Sequence, residues 1–253
     1  MYQHVRTGRR IAAGLACAAA VVSLTACGNG KSGTGSADGA TPSTAAKASP
    51  AADPNGIEKL SAKEIYDKSR ETNAKAGSFR QKMTRENAKT DVLLSGTECV
   101  GTVEMTGQGS FDIVRKGNDV WAKFDSNMAQ TIKEKSGLTV SAGTWLHGPP
   151  THPLMKGLAS WCHTEQITEP DTADAGLNAT KGKVTTVDGQ QVVPIFITGK
   201  GDKVTWYTAT TGEPYYLKQD ATREDMPDIT NSDFGTPVNA EKPSGQIEEA
   251  PQG

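Results

Sequence analysis

Cys162 stands beside His163, and His147 and His152 lie shortly upstream, flanking Gly148-Pro149-Pro150. Thiolate and imidazole are the usual ligands of zinc, and a cysteine with a histidine is also the core of a nucleophilic dyad. The spacing fits neither chemistry. Adjacency in the chain does not make a nucleophile and its base, and histidines in a Gly-Pro loop match no closed metal site. There is no Gly-x-Ser-x-Gly elbow, and Asp233-Phe234-Gly235 copies a kinase tripeptide without the glycine-rich or catalytic-loop motifs that give it meaning. Glu213 and the acids near Asp233 can be drawn as a carboxylate pair, but charged residues at strand ends are ordinarily solvated. Asn178-Ala179-Thr180 fits the glycosylation pattern and is expected to be idle. The expectation is a noncatalytic chain with no cofactor and no metal site.

The cysteines say more. Of four, Cys17 and Cys27 belong to the N-terminal region, which leaves Cys99 and Cys162 in the remainder. Two is the right number for one bridge; two free thiols or a metal site are the alternatives. Outside the cytoplasm a bridge persists, and closing a loop of that length contributes roughly 4 kcal/mol on the chain-entropy model. It would pin a segment carrying Trp161 to a strand carrying Cys99.

Cys27 closes a different pattern. Arg6, Arg9 and Arg10 precede an uncharged run over 11–26 that is rich in Ala, Val and Leu. That is the layout of a signal peptide, and the run is shorter and richer in alanine than the roughly 20 strongly apolar residues that span a bilayer. Leu24-Thr25-Ala26-Cys27 resembles the bacterial lipobox, in which the thiol receives diacylglycerol, the leader is cut before it and the new amino terminus is acylated, palmitate being a typical chain. Two or three acyl chains anchor durably where one is marginal. The expected location is the outer face of the bacterial cytoplasmic membrane, lipid-anchored at Cys27. Arg9-Arg10 leaves both the general secretory and the twin-arginine routes open.

Charge and composition narrow the partners. The full chain has a net charge of -2; without Arg6, Arg9 and Arg10 its 27 basic residues fall to 24 against 29 acidic ones, a net of -5. Such a balance offers no basic patch for nucleic acid. Residues 28–56 are almost entirely Gly, Ser, Ala, Thr, Pro and Asp and carry too little apolar surface to fold. A flexible tether of that length spans on the order of 30 Å. The expected organisation is a signal peptide over 1–26, the lipidated Cys27 with its linker over 27–56, one domain over 57–240 and a disordered tail over 241–253.

The elements that must position any site follow from periodicity. Ser61-Ala62-Lys63-Glu64 is a capping box, and the helix it opens should stop at Gly77. Phe79, Gln81 and Met83 then share one face of a strand, and further strands are expected over 97–106, 109–115 and 119–124 with a turn at Gly117-Asn118. A helix over 128–136, capped by Asn127 and Gln130, ends at Gly137. Another follows Pro153, where Leu154, Leu158 and Trp161 recur at helical spacing as a core stripe. Strands return over 183–187, 191–198, 203–210 and 215–220, with a last extended piece over 232–239. Short turns between successive strands make the sheet antiparallel and the class α+β.

The helix and the stretch from Gly101-Thr102-Val103-Glu104-Met105 to Asp119-Val120-Trp121-Ala122-Lys123 resemble the actinobacterial LppX, LprA, LprF and LprG lipoproteins, and more distantly the LolA and LolB carriers. Thr211-Gly212-Glu213-Pro214-Tyr215 and Ser232-Asp233-Phe234-Gly235-Thr236-Pro237-Val238 agree, so the resemblance covers about 60–243. It implies a strongly curved antiparallel sheet, a half-barrel, with helices packed on its concave side around an apolar cavity that takes acyl chains of lipids or glycolipids. The inward residues expected to line such a cavity are Val103, Met105, Phe111, Ile113, Val120, Ile195, Ile197, Trp206 and Leu217. The plainer reading is that the same residues are the core. Two functions follow: a tethered binder of a hydrophobic envelope molecule, or a protein-interaction or sensor lipoprotein with a filled interior.

Overall fold

The computed structural model describes residues 53–163, 178–199, 202–223 and 226–251. Its elements, in chain order, are α1 (Ala62–Ala76), β1 (Phe79–Arg85), β2 (Ala88–Ser95), β3 (Glu98–Met105), β4 (Gly109–Lys116), β5 (Asp119–Phe124), α2 (Ser126–Ser136), β6 (Trp145–Gly148) and α3 (Pro153–Ala159). There follow β7 (Asn178–Lys181), β8 (Thr185–Val187), β9 (Gln190–Gly199), β10 (Asp202–Ala209), β11 (Tyr216–Ala221), β12 (Asp228–Ser232) and β13 (Ile247–Glu249). The strands form one open, curved sheet in the order β13-β6-β5-β4-β3-β2-β1-β12-β11-β10-β9-β7, with β8 also paired to β9. Every pairing is antiparallel except β13 with β6.

Local chemistry accounts for the elements the sequence marks. The Ser61 hydroxyl accepts from the Glu64 amide while the Glu64 carboxylate accepts from the Ser61 amide, and Gly77 ends α1 at φ +74. Hydrogen bonds from the Ser61 hydroxyl and amide hold the Glu64 carboxyl below its ordinary pKa. The cap of α2 differs from the expectation: Asp125, not Asn127, accepts from the Met128 amide at 2.7 Å, and its other oxygen accepts from Ser110. Burial pushes the Asp125 carboxyl up, but those hydrogen bonds outweigh it and leave its pKa below normal.

Register places the side chains. Phe79, Gln81, Met83 and Arg85 of β1 line up with Leu94, Val92, Thr90 and Ala88 of β2, and these with Cys99, Gly101, Val103 and Met105 of β3. Phe111 and Ile113 of β4 and Ala122 and Phe124 of β5 continue the same face. Ile65, Tyr66, Met128, Met155 and Leu158 from the three helices pack in the same cluster as this face, which makes it the concave, helix-covered side.

The outer face also has a cover. Val114 and Trp121 are buried there with Val238 and Ala240, against which Leu93, Val100, Trp145 and Ile247 pack. The C-terminal stretch thus crosses the back of the sheet and ends as β13, where a disordered tail over 241–253 was the expectation. The sparse Val238, Ala240 and Ile247 suffice because outward Trp121 and Trp145 offer them a large apolar surface. The expected extended piece over 232–239 is likewise displaced: the strand is β12, and Gly235 turns the chain at φ +75. At the other end, the final residues of the expected linker are fastened, the Asn55 side chain donating to the carbonyls of Ala209 and Gly212.

Candidate functional site

α1 fills the concave face over β10 and β11. The Tyr66 ring lies 4.8 Å from Trp206, which stacks on Tyr216 at 3.4 Å between centroids, and the Trp206 indole donates to the Ser69 hydroxyl at 3.2 Å. Complete burial drives the Tyr216 phenol well above its ordinary pKa. On the other flank α2 covers β4 and β5, where Phe111 and Phe124 meet at 6.1 Å. α3 runs into a 3-10 turn, Ser160–Cys162, and Cys162 is disulfide-bonded to Cys99 on β3 with 5.7 Å between their Cα atoms.

Between these covers lies an opening of about 400 Å³. Its floor is the inner face of β1 and β2, from Gln81, Met83, Arg85 and Thr90; its other wall is Ser160, Trp161 and His163. The volume falls within the roughly 300–1,000 Å³ of small-molecule sites. The Arg85 guanidinium sits 5.2 Å from the centroid of the Trp161 ring, and the Arg85 Nε is buried without a hydrogen-bond partner among the described residues. The disulfide is what holds Trp161 and His163 over the sheet, since Cys162 lies between them. Apolar Met83 and Trp161 together with hydrogen-bonding Gln81, Thr90 and Arg85 make the lining amphipathic.

None of the nine side chains expected to line a cavity borders this opening; eight of them lie on the inward face as packed core. Val103, Phe111, Ile113, Val120, Ile195 and Trp206 are buried in the core cluster, with Met105 and Ile197 partly buried against it. Leu217 is not among them. The register between β10 and β11 shifts at Tyr207 and Thr208, from Tyr207 opposite Lys218 to Thr208 opposite Tyr216. Leu217 is the residue skipped by that bulge, and it lies half-buried in a shallow recess with Val187 and Tyr207 while Tyr216 takes the inward place. Sequence reasoning puts Gln81 and Met83 on the right face but does not name them, Arg85 or Trp161 for the site. The signal is there in β1, whose inward side chains pass from Phe79 to Gln81, Met83 and Arg85, apolar at one end and cationic at the other.

The histidines are scattered. His147 lies on the outer face, 2.9 Å from an Asp119 oxygen and 3.0 Å from a Glu249 oxygen, with its ring stacked on Trp121. His152 bonds the Pro251 carbonyl, and His163 alone borders the opening. Cys27 and the expected leader lie outside the described residues, and among the described residues no helix is long and apolar enough to cross a membrane.

No family model matches the chain, and no curated protein does. Among solved structures, it is similar to the lipoprotein LppX of Mycobacterium tuberculosis, with a TM-score of 0.47 and 12% identity over 71% of this chain and 99% of that one. A LolA superfamily protein from Nitrosomonas europaea follows, with a TM-score of 0.25 and 15% identity over 69% of this chain and 92% of that one. The strand order, the unclosed edges and the helices on the concave side make the described residues an α+β half-barrel.

Proposed function

We propose that this chain is a noncatalytic lipoprotein, anchored through acyl chains on Cys27 to the outer face of a bacterial cytoplasmic membrane, that holds a hydrophobic envelope molecule, a lipid or glycolipid, against the concave face of its half-barrel. The observation that carries the reading is the opening itself: about 400 Å³, lined in part by Met83 and Trp161, beside the apolar inner face. The lipobox at Cys27 supports the anchor. The full chain carrying Cys27→Ser, purified without detergent and extracted with organic solvent, should release lipid detectable by mass spectrometry, and less of it after Met83→Asp. A natively purified, folded chain that releases none and binds no fluorescent fatty acid sinks the reading. For the anchor, radiolabelled palmitate should enter the full chain and not its Cys27→Ser variant.

A second reading, a protein-interaction or sensor lipoprotein, draws on the filled corner under α1, where Tyr66, Trp206 and Tyr216 leave no room for a ligand. In that case cross-linking from intact membranes should return a stoichiometric protein partner and no lipid.

A further inference from the structure

Two arginines of β1 make a contrast. Arg80, facing outward, donates from Nε to Asp233 at 2.9 Å and from Nη1 to Asp91 at 2.6 Å, and these hydrogen bonds hold its pKa above the ordinary value. Arg85, at the inward end of the same strand, has no ion pair among the described residues, and its Nε is buried and unbonded. An N–H removed from water with no acceptor is costly, and more so when it belongs to a cation. The acids nearest to it, Glu86 and Asp228, border a separate recess on its other side and not the opening. Gln81, Met83, Thr90, Ser160, Trp161 and His163 complete the lining among the described residues, and none of these is acidic.

We propose that Arg85 receives the anionic head, a carboxylate or phosphate, of an acyl lipid whose chain enters between Met83 and Trp161. A planar guanidinium presents parallel N–H donors that match two oxygens of such a group, and the Trp161 ring, 5.2 Å from its carbon, keeps the fork oriented. Gln81 and Thr90 supply further hydrogen bonds on the floor. The chain would then run from the polar end of β1 toward Met83. This assignment rests on the hydrophobic-ligand reading above and adds the charge of the ligand to it.

The test compares two probes on the full chain carrying Cys27→Ser: dansyl-undecanoic acid and its methyl ester, which differ only in the charge of the head. The acid should bind at least tenfold more tightly than the ester. Arg85→Gln should abolish that preference, weakening the acid at least tenfold more than the ester. Arg85→Lys, which keeps the charge and loses the fork, should retain part of it and serves if the glutamine variant fails to fold. Equal affinity for acid and ester in the parent chain overturns the anionic-head assignment and leaves lipid binding standing; binding of neither probe overturns both. Inorganic phosphate that displaces the acid at equal concentration would assign Arg85 to a free anion and overturn the lipid source.

Discussion

Asn73 reaches from α1 to the main chain of Tyr216 and satisfies both of its polar groups: its side-chain oxygen accepts from the Tyr216 amide at 3.1 Å, and its nitrogen donates to the Tyr216 carbonyl at 3.3 Å. Both residues are fully buried, so these bonds do for the start of β11 what a neighbouring strand would do. Asn73→Ala leaves a buried donor and an under-satisfied acceptor, and should lower the unfolding free energy by about 2–4 kcal/mol. Denaturant titration would measure it, and a loss below about 0.5 kcal/mol would show that water replaces the side chain without penalty.

The bridge between Cys99 and Cys162 closes a separation of 63 residues. Reduction should cost about 4 kcal/mol on the chain-entropy model. It should also free the turn that carries Trp161 from β3, so Trp161 emission would shift to the red before global unfolding. If the parent chain, denatured without reductant, shows two reactive thiols, this account of the site wall is wrong.

Gly101 sits at the middle of the inner face, opposite Val92 and Ile113. A Cβ there would overlap the Asp91 carbonyl oxygen and lie 2.6 Å from the Val92 Cα, both backbone atoms that a rotamer change does not relieve. Gly101→Ala should therefore destabilise the chain by about 2–3 kcal/mol, toward the upper end of overpacking costs. A thermal midpoint equal to the parent's would mean that the strands do not approach as described.

His147 gives the fold a pH dependence whose sign can be stated. Burial alone pulls its pKa down, but hydrogen bonds and charge from Glu249 and Asp119 outweigh it and hold the imidazole above its ordinary value. With a carboxylate on each ring nitrogen, only the doubly protonated ring donates to both. The stabilisation is thus complete below the unfolded pKa of about 6.5 and is lost as pH rises through the higher folded value. Because both carboxylates are exposed, it should amount to no more than about 1 kcal/mol. NMR titration should place His147 above 6.5, and hydrogen exchange of β13 should quicken at alkaline pH in the parent but not in His147→Gln. A midpoint below 6.5 would refute the arrangement.

Much of this architecture is legible in the sequence because short-range chemistry encodes it. The Ser61 and Glu64 capping box, the stop at Gly77 and the turn at Gly117 each act within a few residues, and the structure has all three. What escapes are features decided by distant partners. β12 is polar along most of its length and is a strand because β1 and β11 flank it. β13 has three residues and pairs with β6 across a long stretch of chain. Leu217 fails for another reason, since it is itself the extra residue of β11 opposite the Tyr207–Thr208 step, and that bulge reverses which of two adjacent apolar side chains points inward. For the site, apolar residues on alternating positions identify the inner face, but they do not say where its helical cover ends. That boundary is made by the Cys99–Cys162 link, and it gives Arg85 and Trp161 their positions.

An open sheet, with thirteen strands among the described residues, invites addition of further strands at its margins. β13 is a poor template for such growth. It is three residues long, Ile247 is turned into the apolar patch on the back of the sheet, and Glu248 and Glu249 place two negative charges along the rim. A second copy docking there would find almost no free ladder, so the segment that covers the back of the molecule also makes this edge a poor one to extend.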